Sequence, residues 1–200
     1  VKLLVATRNR NKVTEIRDKF SGLSGIELLS LDDIAPVPDV EEDGATFEEN
    51  ALKKARETAR LTGLPAMADD SGLEVDALGG EPGVYSARYG GGQCATDRDR
   101  NLLVLEKMKD VPDGKRTARF VCVISIVFPG GEERLARGTC EGEIAQEMRG
   151  DHGFGYDPVF YLPELGATMA EIPLAEKNTL SHRARALEKA AEILALLDRE

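Results

Sequence analysis

The longest strongly apolar stretch of the chain is the nine-residue run Phe120–Phe128, and Ser125 interrupts it. A bilayer-spanning helix needs ~20 apolar residues, so no transmembrane helix is expected and the run belongs inside a protein core. It is followed by Pro129-Gly-Gly131 and then by Glu133–Cys140, which reads as a long hairpin. Around it, strand-like and helix-like segments come in mixed order. Val1–Ala6 reads as a strand opening into the polar loop Thr7–Lys12, and Val13, Ile16 and Phe20 then recur at helical spacing. Ile26–Leu31 reads as a second strand, and Asp32–Gly44 as a loop ending in the acidic run Glu41-Glu42-Asp43. Thr46-Phe-Glu-Glu49 has the form of a capping box and opens a helix that stops at Gly63 and Pro65. Ala66–Ala68 reads as a brief strand ending in the turn Asp69-Asp70-Ser71-Gly72. Helices are further expected over about Asp97–Lys109 and Arg183–Leu197. That order of elements predicts an α/β fold.

With 200 residues the chain suits a single domain over 1–200, or one domain folded as two lobes sharing a core. Such a chain buries roughly 70% of its unfolded surface and needs no metal or disulfide to fold. Its 36 acidic and 26 basic residues give a net charge of −10, which offers no support for nucleic-acid binding, although a local basic pocket for one small polyanion stays open. Cys94, Cys122 and Cys140 form no C-x-x-C, and with His152 and His182 as the only histidines neither a zinc finger nor a disulfide framework is expected. Cys122 lies in the apolar run, where a buried inert thiol is expected. The basic Arg8, Arg10 and Lys12 follow the first apolar run, the reverse of a signal peptide. A soluble cytoplasmic protein with no membrane partner is expected.

Several motifs are absent or misleading. There is no G-x-x-x-x-G-K-[ST] and no G-x-S-x-G, and the G-x-G-x-x-A at Gly90–Ala95 has no strand leading into it, so it reads as a loop. Four clusters remain. Thr7, Asn9 and Lys12 lie before a helix N-terminus, which favours anions, although alone the loop reads first as a solvated one whose asparagine caps the helix. Glu42 with Asp69 and Asp70 offers carboxylate oxygens for Mg²⁺ at what reads as a strand end, where α/β sheets bind ligands; an ordinary turn is the competing reading. Gly153-Phe-Gly-Tyr-Asp-Pro158 offers close backbone approach and an aromatic face for a base, or equally a Gly-rich turn packed on the core. Lys177, Ser181, His182 and Arg183 crowd donors at a helix start against the dipole, which an anionic or carbonyl-bearing ligand would explain. The four together make an inventory for a nucleoside polyphosphate.

The chain resembles the inosine triphosphate pyrophosphatase family nearly end to end. The resemblance is carried by Ala6-Thr7-Arg-Asn9-Arg-Asn-Lys12, Thr46-Phe-Glu-Glu-Asn50-Ala51 through Lys54-Ala55, Ala68-Asp-Asp-Ser-Gly-Leu73, Pro82–Tyr89, Gly153–Pro158 and Ser181-His-Arg183. It implies an elongated mixed sheet with flanking helices, in two lobes around a central nucleotide-binding cleft, and a homodimer. It also implies that Thr7, Asn9 and Lys12 hold the triphosphate with Lys54, and that Glu42 and Asp70 carry the metal with Asp69 beside them. Asp70 would be the proton acceptor and Ser71 a substrate contact. Phe154, Gly155, Tyr156 and Asp157 would bind the base, and Lys177, His182 and Arg183 would read it. Asn11 stands where many members carry Gly, and Asn tolerates a left-handed backbone better than other residues.

The expected activity is Mg²⁺-dependent hydrolysis of ITP, dITP and XTP to the monophosphate and pyrophosphate, which cleanses the nucleotide pool. The alternatives are a nucleotide-binding sensor without turnover and a pyrophosphatase acting on modified pyrimidines. Which of Asp69 and Asp70 is the base stays open at this level.

Overall fold

The computed structural model describes residues 1–22, 25–34 and 36–197. Leu3, Leu4 and Val5 are buried in strand β1 (Lys2–Val5), which pairs in parallel with β2 (Glu27–Ser30), from Lys2 opposite Glu27 to Val5 opposite Ser30. On its other side β1 pairs in parallel with β3 (Ala66–Val75), Leu4 facing Ala66 and Val5 facing Met67. Parallel neighbours need crossover connections, and two helices supply them: α1 (Arg10–Phe20) and α2 (Phe47–Thr62). Then come α3 (Asp97–Lys107), β4 (Thr117–Val127), β5 (Glu133–Ile144), β6 (Phe160–Leu162), β7 (Ala167–Thr168), α4 (Leu174–Leu180) and α5 (His182–Leu197). The seven strands lie in the order β2-β1-β3-β4-β5-β6-β7, with antiparallel pairing from β5 through β7, so the sheet is mixed and the fold is α/β. Among the described residues no helix is long and apolar enough to cross a membrane.

The chain divides into two compact units, one of Val1–Asp70, Cys122–Gly138 and Arg183–Glu200, the other of Ser71–Val121 and Thr139–His182. In the first, Leu3, Val5, Ile16, Met67, Ile124 and Leu187 lie in one buried apolar cluster. In the second, Leu73, Val104, Met108, Ile144 and Phe160 do the same. The apolar run behaves as expected, as nearly all of β4 is buried.

Two local readings need correction. Asp69-Asp70-Ser71-Gly72 is no turn and no strand end: β3 runs on for ten residues through it. Sheet pairing overrides local turn preference here, and inside the first unit the two aspartates find partners, described below. The capping box at Thr46 is half formed. Thr46 Oγ1 accepts the Glu49 N–H at 3.1 Å, but the Glu49 carboxylate reaches back to the Ala45 N–H at 2.7 Å. A reciprocal box stands at Thr96 and Asp99, before α3.

Candidate active site

Strand β1 delivers Thr7 to the start of α1. Thr7 Oγ1 accepts the Asn9 N–H at 3.2 Å, and Asn9 Oδ1 accepts the N–H groups of Asn11 and Lys12 at 3.0 and 3.3 Å. The loop is therefore a capped helix start, and its charge rather than those two amides is what it offers an anion. Asn11 is the second residue of α1 and right-handed helical, so replacing a family glycine costs no strained backbone.

Consecutive residues of a strand point to opposite faces, and β3 uses this to separate its two aspartates. The Asp69 carboxylate pairs with Lys12 Nζ at 2.8 Å and lies 3.6 Å from Arg183 Nε. Burial works to raise its pKa, but Lys12, Arg183 and Lys54 together hold it well below the usual carboxylate range. The Asp70 carboxylate instead accepts a hydrogen bond from Asn50 Nδ2 at 3.0 Å. Its pKa is raised, chiefly by burial and further by the charge of Glu42, against the opposing pull of Lys54 and Asn50. Lys54 Nζ donates to the Asp69 carbonyl and lies 3.2 Å from Glu42 Oε1.

Among the described residues no group of three or more acidic, histidine or cysteine side chains is placed to hold a metal. Of the expected set Glu42, Asp69 and Asp70, Asp69 is engaged by the cations of Lys12 and Arg183, and Glu42 and Asp70 remain as the pair that could hold a metal. Mg²⁺ fits the remaining pair: it takes one or two carboxylates and fills its other positions with water and phosphate oxygens, and Glu42, partly exposed, and Asp70, buried, are two carboxylates whose charges repel. A cavity of about 210 Å³ in this unit is lined by Thr7, Arg8, Glu42 and Lys54 together with the apolar Leu31, Val37 and Val40.

Sequence reasoning gave Asn50 no role of its own. It is fully buried, and its Oδ1 accepts the Gly44 N–H at 2.8 Å while its amide holds Asp70. Arg8 was likewise unassigned; it grips Val37 O and the Asp39 carboxylate, both at 2.8 Å. Glu15, one turn after Lys12, pairs with Arg183 Nη1. A spacing of three on α1, which places Lys12 and Glu15 on one helix face, was the available signal.

In the second unit, Ser71 opens its stretch of β3 and is half-buried. The Gly153–Asp157 segment turns back on itself: Asp157 Oδ2 accepts the Phe154 N–H at 2.8 Å and the ammonium of Lys177 at 2.6 Å. That ammonium also lies 4.5 Å from the centre of the half-buried Phe154 ring. Gly153 has φ +77°, and a Cβ there would fall 2.0 Å from Asp157 Oδ2. Tyr156 is buried with its hydroxyl donating to Ser86 O at 2.7 Å, which matches the core-packing alternative for this aromatic. His182 stacks on Phe120, ring centres 4.8 Å apart. The donor cluster is therefore divided: Lys177 and His182 belong to this unit, whereas Arg183 belongs to the first. The anion that the cluster called for is supplied twice by the chain itself, by Asp157 to Lys177 and by Glu15 and Asp69 to Arg183.

Residues 3–193 match the model of the Ham1 family. A dITP/XTP pyrophosphatase of Geobacter sulfurreducens is 55% identical over 186 residues, covering 93% of this chain and 92% of that protein. One from Thermus thermophilus is 52% identical over 193 residues, covering 96% and 91%. The structure of a HAM1 protein from Coxiella burnetii superposes with a TM-score of 0.90 at 43% identity, covering 98% of each chain. That of a nucleoside-triphosphatase / dITP/XTP pyrophosphatase from Mycobacterium abscessus gives 0.80 at 45% identity, covering 95% of this chain and 98% of that one. Whole-length identity near one half, and a shared fold from end to end, place the chain in the Ham1 family.

Proposed function

We propose that this chain is a nucleoside-triphosphate pyrophosphatase, acting as one catalytic domain, that hydrolyses ITP, dITP and XTP to the monophosphate and pyrophosphate with Mg²⁺. The observation that carries this reading is the separation of Asp69 from Asp70 on β3, with Asn50, Glu42 and Lys54 gathered about Asp70. Family membership supports it, since the relatives just described are named for that activity.

In this reading the first unit handles phosphates. Thr7 and Asn9 fix the loop, and Lys12 and Lys54 bring positive charge to the triphosphate, which is most of what phosphoryl displacement needs from a protein. Bound at Glu42 and Asp70, Mg²⁺ would supply further neutralisation of phosphate charge. Asp70 accepts a proton from the attacking water. Burial and Glu42 raise its proton affinity, whereas Asp69 is kept ionised by Lys12 and Arg183 and suits a structural role better. The base falls to the second unit: Phe154 gives a flat face, Lys177 and His182 give donors to keto oxygens, and Ser71, Gly155, Tyr156 and Asp157 frame them. Arg183 is assigned to the base by family likeness, while its own ion pairs are with Glu15 and Asp69. Family likeness also leads us to propose a homodimer working in the cytoplasm.

The test is pyrophosphate release from ATP, GTP, CTP, UTP, ITP and XTP, with and without Mg²⁺. Turnover of ITP and XTP well above the others, lost on chelation, is the expected result. Turnover favouring CTP or UTP would move the reading to pyrimidines, and binding without turnover would make the chain a sensor.

A further inference from the structure

Helix α3 carries none of the residues assigned above, yet its first turn grips the base-binding segment. Asp97 and Asn101 are four apart and so lie on one helix face. Asp97 Oδ2 accepts the Gly155 N–H at 2.9 Å. Asn101 Nδ2 donates to the Gly155 carbonyl at 2.7 Å and to the Asp97 carbonyl at 2.8 Å, from a side chain that is 1% exposed. Both polar groups of Gly155 are thereby held by one helix. The neighbouring residue is held as well: the Phe154 N–H goes to Asp157 Oδ2, and the Phe154 carbonyl accepts the Asp157 N–H at 3.3 Å. These backbone groups are spent inside the protein, so they are poor readers of a purine edge, and what the segment exposes is the half-buried Phe154 ring, backed by the buried Lys177–Asp157 pair. The backbone that carries that ring is thus held on both sides of the Phe154–Gly155 peptide.

We propose that Asn101, together with Asp97, is a positioning residue for base recognition: the two fix Gly155 from both sides and so set how well the protein separates ITP from ATP. The proposal rests on the nucleotide reading above.

The full-length chain is compared with Asn101→Asp, which keeps size but turns the two donors into acceptors facing carbonyls, and with Asp97→Ala and Asp97→Asn. Binding of inosine monophosphate and of inorganic pyrophosphate is measured with Mg²⁺, alongside kcat and KM for ITP and ATP. Loss of a hydrogen bond of this kind is expected to weaken inosine monophosphate about tenfold and to narrow the ITP/ATP ratio of kcat/KM about fivefold. Pyrophosphate affinity should stay within about twofold and kcat for ITP within about threefold, because those contacts lie in the first unit. Asp97→Asn retains an acceptor oxygen and should restore most of the loss. Parallel weakening of monophosphate and pyrophosphate, or an unchanged ITP/ATP ratio in Asp97→Ala, would overturn the proposal. Should Asn101→Asp fail to fold, the Asp97 pair decides. A wild-type protein that neither binds inosine monophosphate nor turns over ITP would instead overturn the nucleotide reading itself.

Discussion

Asn50 binds Asp70 with its amide nitrogen at 3.0 Å, and with its amide oxygen it accepts the Gly44 N–H at 2.8 Å, two residues beyond Glu42. One side chain thus ties the loop carrying one candidate metal ligand to the strand carrying the other. Gly44 is shaped for it, since a Cβ there would sit 2.7 Å from Asn50 Oδ1. Asn50→Leu removes the Asn50 bond from the buried Asp70 carboxylate, at about 1–3 kcal/mol, and from the half-buried Gly44 N–H. We expect kcat for ITP to fall roughly 10- to 100-fold and the Mg²⁺ concentration for half-maximal rate to rise. A magnesium titration of the initial rate checks both.

The two aspartates should separate in experiment as they do on the strand. Asp70→Asn is expected to lower kcat by about 10²–10⁴ while nucleotide binding persists. Asp69→Asn leaves Lys12 and Arg183 with less counter-charge in a buried setting, and breaking such a network costs about 3–5 kcal/mol. Its first symptom should be a lower melting temperature. Paired calorimetry and steady-state kinetics on the two variants decide it, and an Asp69→Asn protein of normal stability with no turnover would reverse the assignment.

Two glycines two residues apart should behave differently. At Gly153 an added methyl collides with the carboxylate that holds Lys177 and also meets φ +77°; at Gly155, with φ +63°, nothing lies within 4 Å of it. Gly155→Ala should cost only the left-handed backbone penalty, about 1–2 kcal/mol. Gly153→Ala should in addition dislodge Asp157 and raise KM for ITP about tenfold, the effect of losing a charge-assisted bond. Comparison of KM and melting temperature for the pair is the check.

Burial pushes the Cys122 thiol up to about 12, with Asp69 adding to the effect and Arg183 and Lys12 opposing it. The folded thiol stays protonated while the unfolded one ionises near 9. Stability from this group is therefore complete below about pH 9 and is lost as pH rises toward 12, at up to about 1.4 kcal/mol per pH unit. Urea midpoints between pH 8 and 10.5 should fall less steeply for Cys122→Ala than for the wild type. Under native conditions iodoacetamide should label Cys94, which is partly exposed, and spare Cys122.

The α/β alternation, the hairpin at Phe120 and the stops at Gly63 were legible because periodicity and glycine act locally. Asp69-Asp70-Ser71-Gly72 was misread because its local chemistry is that of a turn, and the partners that keep it extended, Lys12, Arg183 and Asn50, are distant in sequence. Arg183 was grouped with Lys177 by proximity in the chain, although its ion pairs are with Glu15 and Asp69. Motif blocks supplied the candidate residues. They could not say which carboxylate meets a cation and which meets an amide, since that depends on which strand face each one occupies.

The acidic loop is tethered twice, by Arg8 at Val37 and Asp39 and by Asn50 at Gly44. Glu42 therefore sits on a span of fixed length. One residue inserted or removed between Asp39 and Gly44 displaces extended backbone by up to ~3.5 Å, far more than a metal–oxygen bond near ~2.1 Å can absorb. On the other side of the Arg8 tether, toward Asp33, an added residue leaves both anchors in place. Natural and engineered length variation in this loop should accordingly collect upstream of Val37 and be excluded from the four residues between Asp39 and Gly44 that bring Glu42 to its place.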